Sequence, residues 1–463
     1  MERPYIYYDF TLSLCSACLR RVDAKIIFED EQVFMLKRCP EHGAEKTLIA
    51  TDIEYYRSTR NYVKRSEMPK KFNTRTHYGC PYDCGLCPDH EQHSCLTIIE
   101  VTDRCNLSCP TCYAESAPHH GRHRTLEEIE WMLDIVVANE GQPDVVQISG
   151  GEPTVHPQFF EILDIAKRKP IRHLMLNTNG IRIAKDKAFV ERLATYMPDF
   201  EVYLQFDSFK KEALETLRGE DLREIREKAL ENLNAFNLST TLVVTLQKGL
   251  NDDEIGPIIE YALKQPCVRG VTFQPTQIAG RIEGFDPAKH RMTLTEVRQE
   301  ILRQAPVFQA EDLIPVPCNP DALAMAYALK IDGEVFPLTR YINPQDILDN
   351  SRNTIVYEQD ERLHQHMIQL FSTGNSVECA TNELHSVMCC LPMIDAPQLG
   401  YQNLFRIIIM RFIDAYDFDV RAVKKSCVHI VSKEGKIIPF ETMNLFYRDE
   451  TKRAQLDKLR INA

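Results

Sequence analysis

Three things are scarce in this chain of 463 residues, and each narrows what it does. No leader is expected: Met1-Glu2-Arg3-Pro4-Tyr5 has neither a basic n-region nor an apolar h-region. No apolar run approaches the ~18 residues that cross a bilayer, and the most apolar late stretch, 405–410, has the length of a buried strand. Positive charge is also short, with 55 Lys and Arg against 67 Asp and Glu and a net charge of −12. That balance argues against a general nucleic-acid-binding surface. The chain is therefore expected to have no transmembrane segment and no nucleic-acid partner, with a peripheral membrane contact left open. Cysteine, by contrast, is plentiful. Sixteen thiols without a secretory address belong to metal chemistry rather than to disulfides. The expected compartment is cytoplasmic, in a cell with little oxygen, and the length predicts two to four domains.

The densest chemistry lies in residues 97–113, TIIEVTDRCNLSCPTCY, where a β-branched strand runs into a loop holding Cys105, Cys109 and Cys112. Thiolates spaced C-x₃-C-x₂-C converge more comfortably on one multi-iron centre than on each other. Three ligands leave the fourth iron of a 4Fe–4S cluster open for chemistry. About forty residues on, the apolar run 145–148 ends in Ser149-Gly150-Gly151-Glu152-Pro153. The pair of motifs resembles the radical S-adenosylmethionine (SAM) superfamily, whose cysteine loop follows the first barrel strand and whose GGEP follows the second. The resemblance implies that Cys105, Cys109 and Cys112 hold the catalytic cluster and that SAM chelates the open iron. One departure is Thr111, where the superfamily usually carries an aromatic residue; Tyr113 follows the third cysteine instead.

Further cysteines precede and follow this loop. Cys15-x₂-Cys18, then Cys39-Pro40-Glu41-His42-Gly43, outline a knuckle-and-hairpin mononuclear site for Zn²⁺ or Fe, with His42 as the candidate fourth ligand or an exposed turn histidine. Cys80, Cys84 and Cys87 repeat the C-x₃-C-x₂-C spacing, and Cys95 follows. With no GGEP behind them and a fourth thiol available, these four are expected to form a fully ligated auxiliary 4Fe–4S cluster; a second zinc site is the alternative. Beyond residue 306, Cys318, Cys389, Cys390 and Cys427 are expected to form another auxiliary cluster on a domain at the barrel mouth. Cys379 is its substitute ligand, and an iron-free α/β cap is the alternative.

Strand-like runs at 97–102, 145–148, 173–178, 202–206, 241–246 and 271–274 alternate with helical stretches such as 126–140, 158–169, 221–235 and 253–264. This predicts an α/β fold, a partial (β/α)₆ TIM-like barrel, with reactive groups at the C-terminal ends of its strands. Glu152 suits the SAM ammonium, and Gly150 and Gly151 allow close backbone approach. Tyr113, Asn179, Gln205 and Gln274 are candidate cofactor or substrate contacts, although strand-end amides also cap backbone. The expected division is 1–70 mononuclear metal domain, 71–96 auxiliary cluster segment, 97–305 barrel and 306–463 cap.

The N-terminal knuckle, GCP-x-DCGLCP-x-H at 79–90, and a late block from Lys424 to Asp449 containing KKSC and NLFYRD sharpen the resemblance. They are similar to the subgroup of the archaeal tetraether lipid synthase and dihydro-hydroxymethylpterin methyltransferase-like proteins. That likeness implies carbon–carbon bond formation at unactivated carbon with SAM, 4Fe–4S clusters and a mononuclear metal, and a reductant such as ferredoxin or flavodoxin. Lipid tail coupling is the leading expectation. The alternatives are a radical C-methyltransferase on a pterin and a peptide-modifying enzyme. A lipid predicts a long apolar tunnel, a pterin a small slot with paired polar groups, and a peptide an edge strand or groove.

Overall fold

The computed structural model describes residues 3–62, 67–331, 333–340 and 403–461. Cys379, Cys389 and Cys390 lie outside the described residues. The chain opens with four antiparallel strands in sequential order, β1 (Ile6–Leu14), β2 (Arg21–Glu29), β3 (Gln32–Cys39) and β4 (Gly43–Ala50). Alternation of apolar and polar residues buries Ala24, Ile26, Val33 and Met35 on one face and leaves the other wet.

The remaining strands build one large sheet and a small ribbon. β5 (Leu96–Thr102), β7 (Val145–Gly150), β8 (His173–Thr178), β9 (Phe200–Gln205), β10 (Thr240–Leu246) and β11 (Val268–Pro275) lie side by side in chain order, all parallel. Between them, β6 (Thr111–Cys112) pairs with β12 (Arg281–Ile282) across the cysteine loop. Both faces of the parallel strands are buried, which is why their sequences read as near-continuous apolar runs. Ile99, Val101, Val146, Ile148, Leu174, Val202 and Leu242 pack against helices; Leu96, Ile98, Val145, Met175, Tyr203 and Val243 form a second core on the inner face. The helices start where the sequence says they should. Thr125 and Glu128 close a capping box on the helix Leu126–Glu140, and Thr293 and Glu296 do the same for Leu294–Gln304.

The described strands of the C-terminal third do not stand apart as a cap. β13 (Ile314–Pro315), β14 (Leu323–Ile331), β15 (Glu334–Pro337) and β16 (Leu404–Met410) extend the sheet beyond β11, with β16 parallel to it. At the opposite edge β17 (Val428–Val431) adds in parallel to β5, and β18 (Ile437–Pro439) follows antiparallel. The physical reason is edge protection: unpaired N–H and C=O groups at both sides of the six-strand core are satisfied by later strands of the same chain. The hydrogen-bonded path from β13 to β18 is open, so among the described residues the barrel does not close.

Candidate active site

The cysteine loop leaves the C-terminal end of β5 and is fastened from three sides. Gly151 N donates to Thr102 O at 2.8 Å and Glu152 N to Arg104 O at 2.9 Å. The two glycines are needed for this contact: a Cβ on Gly150 would lie 2.3 Å from Thr102 O, and one on Gly151 2.1 Å from Arg104 O. Arg281, beside Cys112 in the β6–β12 ribbon, donates to Cys109 O at 2.6 Å and Ser116 O at 2.8 Å. Asn179 Nδ2 donates to Asn106 Oδ1 at 2.6 Å, and its Oδ1 caps Ile181 N. Asn179 thus braces the loop.

Glu152 is 1% exposed, and its carboxylate is largely committed to the protein. Oε1 accepts from Thr154 N at 3.1 Å, Thr154 Oγ1 at 2.6 Å and Thr178 Oγ1 at 2.8 Å, while Oε2 accepts only from Asn179 N at 2.8 Å. Burial pushes this carboxyl up from its ordinary range against the pull of those donors. One lone pair of Oε2 remains for a ligand. The glycines and Glu152 therefore tie β5, β7 and β8 together first, and face a cofactor second.

One cavity of about 190 Å³ gathers Cys105, Cys109, Cys112, Tyr113, Gly150, Gly151, Glu152, Asn179, Gln205 and Gln274 on its wall. Its inner ring is a directed chain of amides: Arg218 Nη2 donates to Gln205 Oε1 at 2.9 Å, Gln205 Nε2 to Asn177 Oδ1 at 3.0 Å, and Asn177 Nδ2 to Ser149 Oγ at 3.0 Å. Tyr113 OH meets Ser149 Oγ at 3.3 Å, and Gln274 Nε2 donates to Tyr203 OH at 3.2 Å. Arg218, at the end of the helix Lys211–Arg218, is clamped by Asp207 through 2.6 and 2.8 Å bonds and also donates to Thr245 Oγ1 at 2.8 Å. A single arginine on an amphipathic helix carries no local signal, and sequence reasoning missed it.

The three thiols suit a cluster. Burial first, then the Glu152 charge, pushes the Cys105 thiol up to about 12, and burial also raises Cys109 while the Arg218 guanidinium opposes it. Thiolates so placed need a bound cation to stay deprotonated. Leu107 N is already 3.4 Å from Cys105 Sγ, as a thiolate acceptor requires.

Comparison with known proteins agrees with this geometry. The family model "Radical SAM superfamily" matches residues 99–262, and "HMPTM N-terminal zinc ribbon domain" matches residues 7–51. The 7,8-dihydro-6-hydroxymethylpterin dimethyltransferase of Methanocaldococcus jannaschii is 31% identical over 95% of this chain and 94% of its own length. The chain belongs to the radical SAM superfamily. The GTP 3′,8-cyclase of Syntrophomonas wolfei is 34% identical over 40% of this chain and 57% of that protein. The crystal structure of Streptococcus suis SuiB bound to S-adenosylmethionine aligns with a TM-score of 0.37 at 18% identity, over 45% of this chain and 46% of that one. This radical SAM enzyme accordingly uses SAM and a 4Fe–4S cluster and needs a reductant. No helix among its described residues is long and apolar enough to cross a membrane.

Nine of the ten other described thiols, all but Cys267, fall into three groups. In the zinc ribbon, Cys18 and Cys39 Sγ are 3.8 Å apart, and His42 Nδ1 lies 3.6 Å from Cys15 and 3.5 Å from Cys39. Tetrahedral Zn²⁺ with Zn–S of about 2.3 Å and Zn–N of about 2.0–2.1 Å sets S···S near ~3.8 Å and S···N near ~3.6 Å. The four residues fit one zinc ion, with His42 as a ligand atom in place. Burial opposes ionisation of Cys39, yet the His42 imidazole holds its thiol down at about 6.

Cys80, Cys84 and Cys87 share a loop covered by the NLFYRD block: Cys84 N donates to Tyr447 OH at 3.1 Å, and Tyr447 OH donates to Tyr82 O at 2.9 Å. Cys95 does not join them. Its Sγ, with those of Cys318 and Cys427, forms a buried trio in which all three sulfurs lie within 4.8 Å of one another, and Cys318 and Cys427 are 3.3 Å apart. That is too long for a disulfide of about 2.05 Å. Two expectations are corrected here: Cys95 groups with Cys318 and Cys427 rather than with Cys80, Cys84 and Cys87, and Cys318 and Cys427 do not lie at the barrel mouth. Cys95 and Cys427 immediately precede the paired strands β5 and β17, so their trio sits at the N-terminal end of the sheet, opposite the catalytic loop.

Proposed function

We propose that this enzyme is a radical SAM C-methyltransferase acting on a reduced pterin. The reading is carried by the relation, over nearly its whole length, to a protein described as a 7,8-dihydro-6-hydroxymethylpterin dimethyltransferase. The cavity supports it. A volume of about 190 Å³ whose wall includes Gln147, Asn177, Gln205 and Gln274 suits a flat heterocycle with polar edges. Lipid tail coupling, the leading expectation from sequence, gains no support from the relatives.

When bound at Cys105, Cys109 and Cys112, the cluster supplies one-electron cleavage of SAM and hence hydrogen-atom abstraction from carbon. The chain's own residues bind and orient. The free lone pair of Glu152 Oε2 accepts from the SAM ammonium, while Arg281 and Asn179 hold the loop so that the thiolates point into the cavity. Arg218, locked on Asp207, fixes which way the Gln205 and Asn177 amides face. Leu96, Ile98, Met410, Phe412, Val428 and Phe440 line the cavity alongside these polar groups and limit water around the reacting carbon. The overall balance per methyl group is one pterin C–H, two SAM and two electrons giving one C–CH₃, with 5′-deoxyadenosine, methionine and S-adenosylhomocysteine released. Ferredoxin or flavodoxin is the fitting electron source. Zinc in the ribbon and thiolate metal centres at Cys80, Cys84, Cys87 and at Cys95, Cys318, Cys427 complete the cofactor set.

The test is substrate-stimulated SAM cleavage in the anaerobically reconstituted enzyme. 7,8-Dihydro-6-hydroxymethylpterin should accelerate 5′-deoxyadenosine formation, and long-chain lipids should not. Stimulation by lipid alone would overturn the proposal.

A further inference from the structure

Deep in the cavity lies a polar group that the catalytic loop and the amide chain leave unused. Gln147 is on β7, two residues before Ser149, and is 5% exposed. Side chains alternate along a strand, so Gln147 and Ser149 face the same inner side, about 6–7 Å apart along it. Its partners in register are Ile98 on β5 and Met175 on β8, both apolar. Neither can satisfy an amide. Ser149, Asn177, Gln205 and Gln274 all have side-chain partners, whereas among the described residues no hydrogen bond reaches the Gln147 amide, which opens on the cavity.

A buried amide flanked by apolar side chains is unfavourable unless something pairs with it. SAM is poorly placed to do so. It must reach the iron held by the loop after the C-terminal end of β5, whereas Gln147 lies deeper, in register with the middle of that strand. An alkyl chain would leave the amide unpaired. A side-chain carboxamide presents an acceptor and a donor side by side, and its complement is a flat edge carrying a donor beside an acceptor.

We infer that Gln147 is a specificity-determining residue that pairs with the pyrimidinone edge of the substrate, where a ring N–H lies between a carbonyl and an exocyclic amine. This rests on the proposal that the substrate is a pterin and adds the group that recognises it. The Ile98 and Met175 side chains beside the amide supply apolar surface for the flat ring. A site built to hydrogen-bond a polar edge discriminates against ligands lacking that edge far more strongly than an apolar slot does.

The experiment uses the full metal-loaded chain with SAM, under anaerobic conditions, and follows binding of fluorescent 6-hydroxymethylpterin. Gln147→Leu and Gln147→Met, both of similar volume and without an amide, should each weaken pterin binding roughly ten- to a hundredfold. SAM affinity and iron content, measured on the same samples, should match the unaltered enzyme and show that the fold is intact. Should the Leu variant lose iron, the Met variant decides. Unaltered pterin affinity in a folded variant, or a loss that falls on SAM instead, would overturn the assignment of Gln147 while leaving the pterin reading standing. Failure of the unaltered enzyme to bind pterin would overturn both.

Discussion

Replacing Glu152 by Gln separates its two duties. The amide oxygen can keep the three Oε1 contacts to Thr154 and Thr178, but the NH₂ group then faces Asn179 N–H, donor against donor. The loss is a charge-assisted hydrogen bond, roughly 1.5–3 kcal/mol, together with a buried N–H left unpaired, roughly 1–3 kcal/mol. Part of this is offset, because burial already disfavours the carboxylate. A net destabilisation of about 2–4 kcal/mol follows, with SAM affinity falling about tenfold as the ammonium loses its acceptor. Urea unfolding of the metal-loaded enzyme reads the first quantity, and SAM titration by calorimetry reads the second. A variant with unaltered stability and weakened SAM binding would refute the strut role. Lost stability with unaltered SAM binding would refute the ligand role.

Three further outcomes are expected. Lys37, buried and donating to Leu14 O, Ala415 O and Tyr416 O at 2.7–2.8 Å, joins the zinc ribbon to the loop after β16; Lys37→Met leaves these three carbonyls unpaired and should cost roughly 3–5 kcal/mol, with faster hydrogen exchange in residues 7–51 as the check. Cys318→Ser should lower the metal content of the enzyme while zinc in the ribbon and SAM binding persist, read by elemental analysis and electron paramagnetic resonance. Glu441 is wholly buried, and burial pushes its carboxyl from 4.5 up to about 7. The folded state holds the extra proton between those values, so this contribution is full below pH ~4.5 and is lost as pH rises through ~7, by roughly 3 kcal/mol at most; Glu441→Gln should flatten the thermal stability profile between pH 5 and 8, and an unaltered slope would count against it.

The parts of the site legible in the sequence are those that adjacent residues create. Cys105, Cys109 and Cys112 occupy one loop and Gly150-Gly151-Glu152 one strand end, so spacing alone carries them, and the four zinc ribbon ligands lie at two short turns, β1–β2 and β3–β4, of one four-stranded sheet. The helix Leu126–Glu140 was readable to the residue because its capping box and apolar spacing are local. What failed needed the tertiary fold. Cys95, Cys318 and Cys427 come from segments more than a hundred residues apart in all three pairings and meet only because β17 adds to β5. β14, β16 and β17 look like any buried strand, and nothing local says whether such a strand founds a new domain or seals the edge of an existing sheet. Gln147 lies inside an apolar run, where one polar residue reads as a strand's wet face until the inner cavity is seen.

The account turns on methyl transfer to a pterin, and one labelling experiment addresses it directly. The reduced, metal-loaded enzyme is given 7,8-dihydro-6-hydroxymethylpterin and SAM carrying a trideuteriomethyl group, and the products are resolved by mass spectrometry. The expected result is pterin bearing deuterated methyl groups on carbon, formed together with 5′-deoxyadenosine and S-adenosylhomocysteine. Formation of 5′-deoxyadenosine while the pterin returns unmethylated would contradict the account.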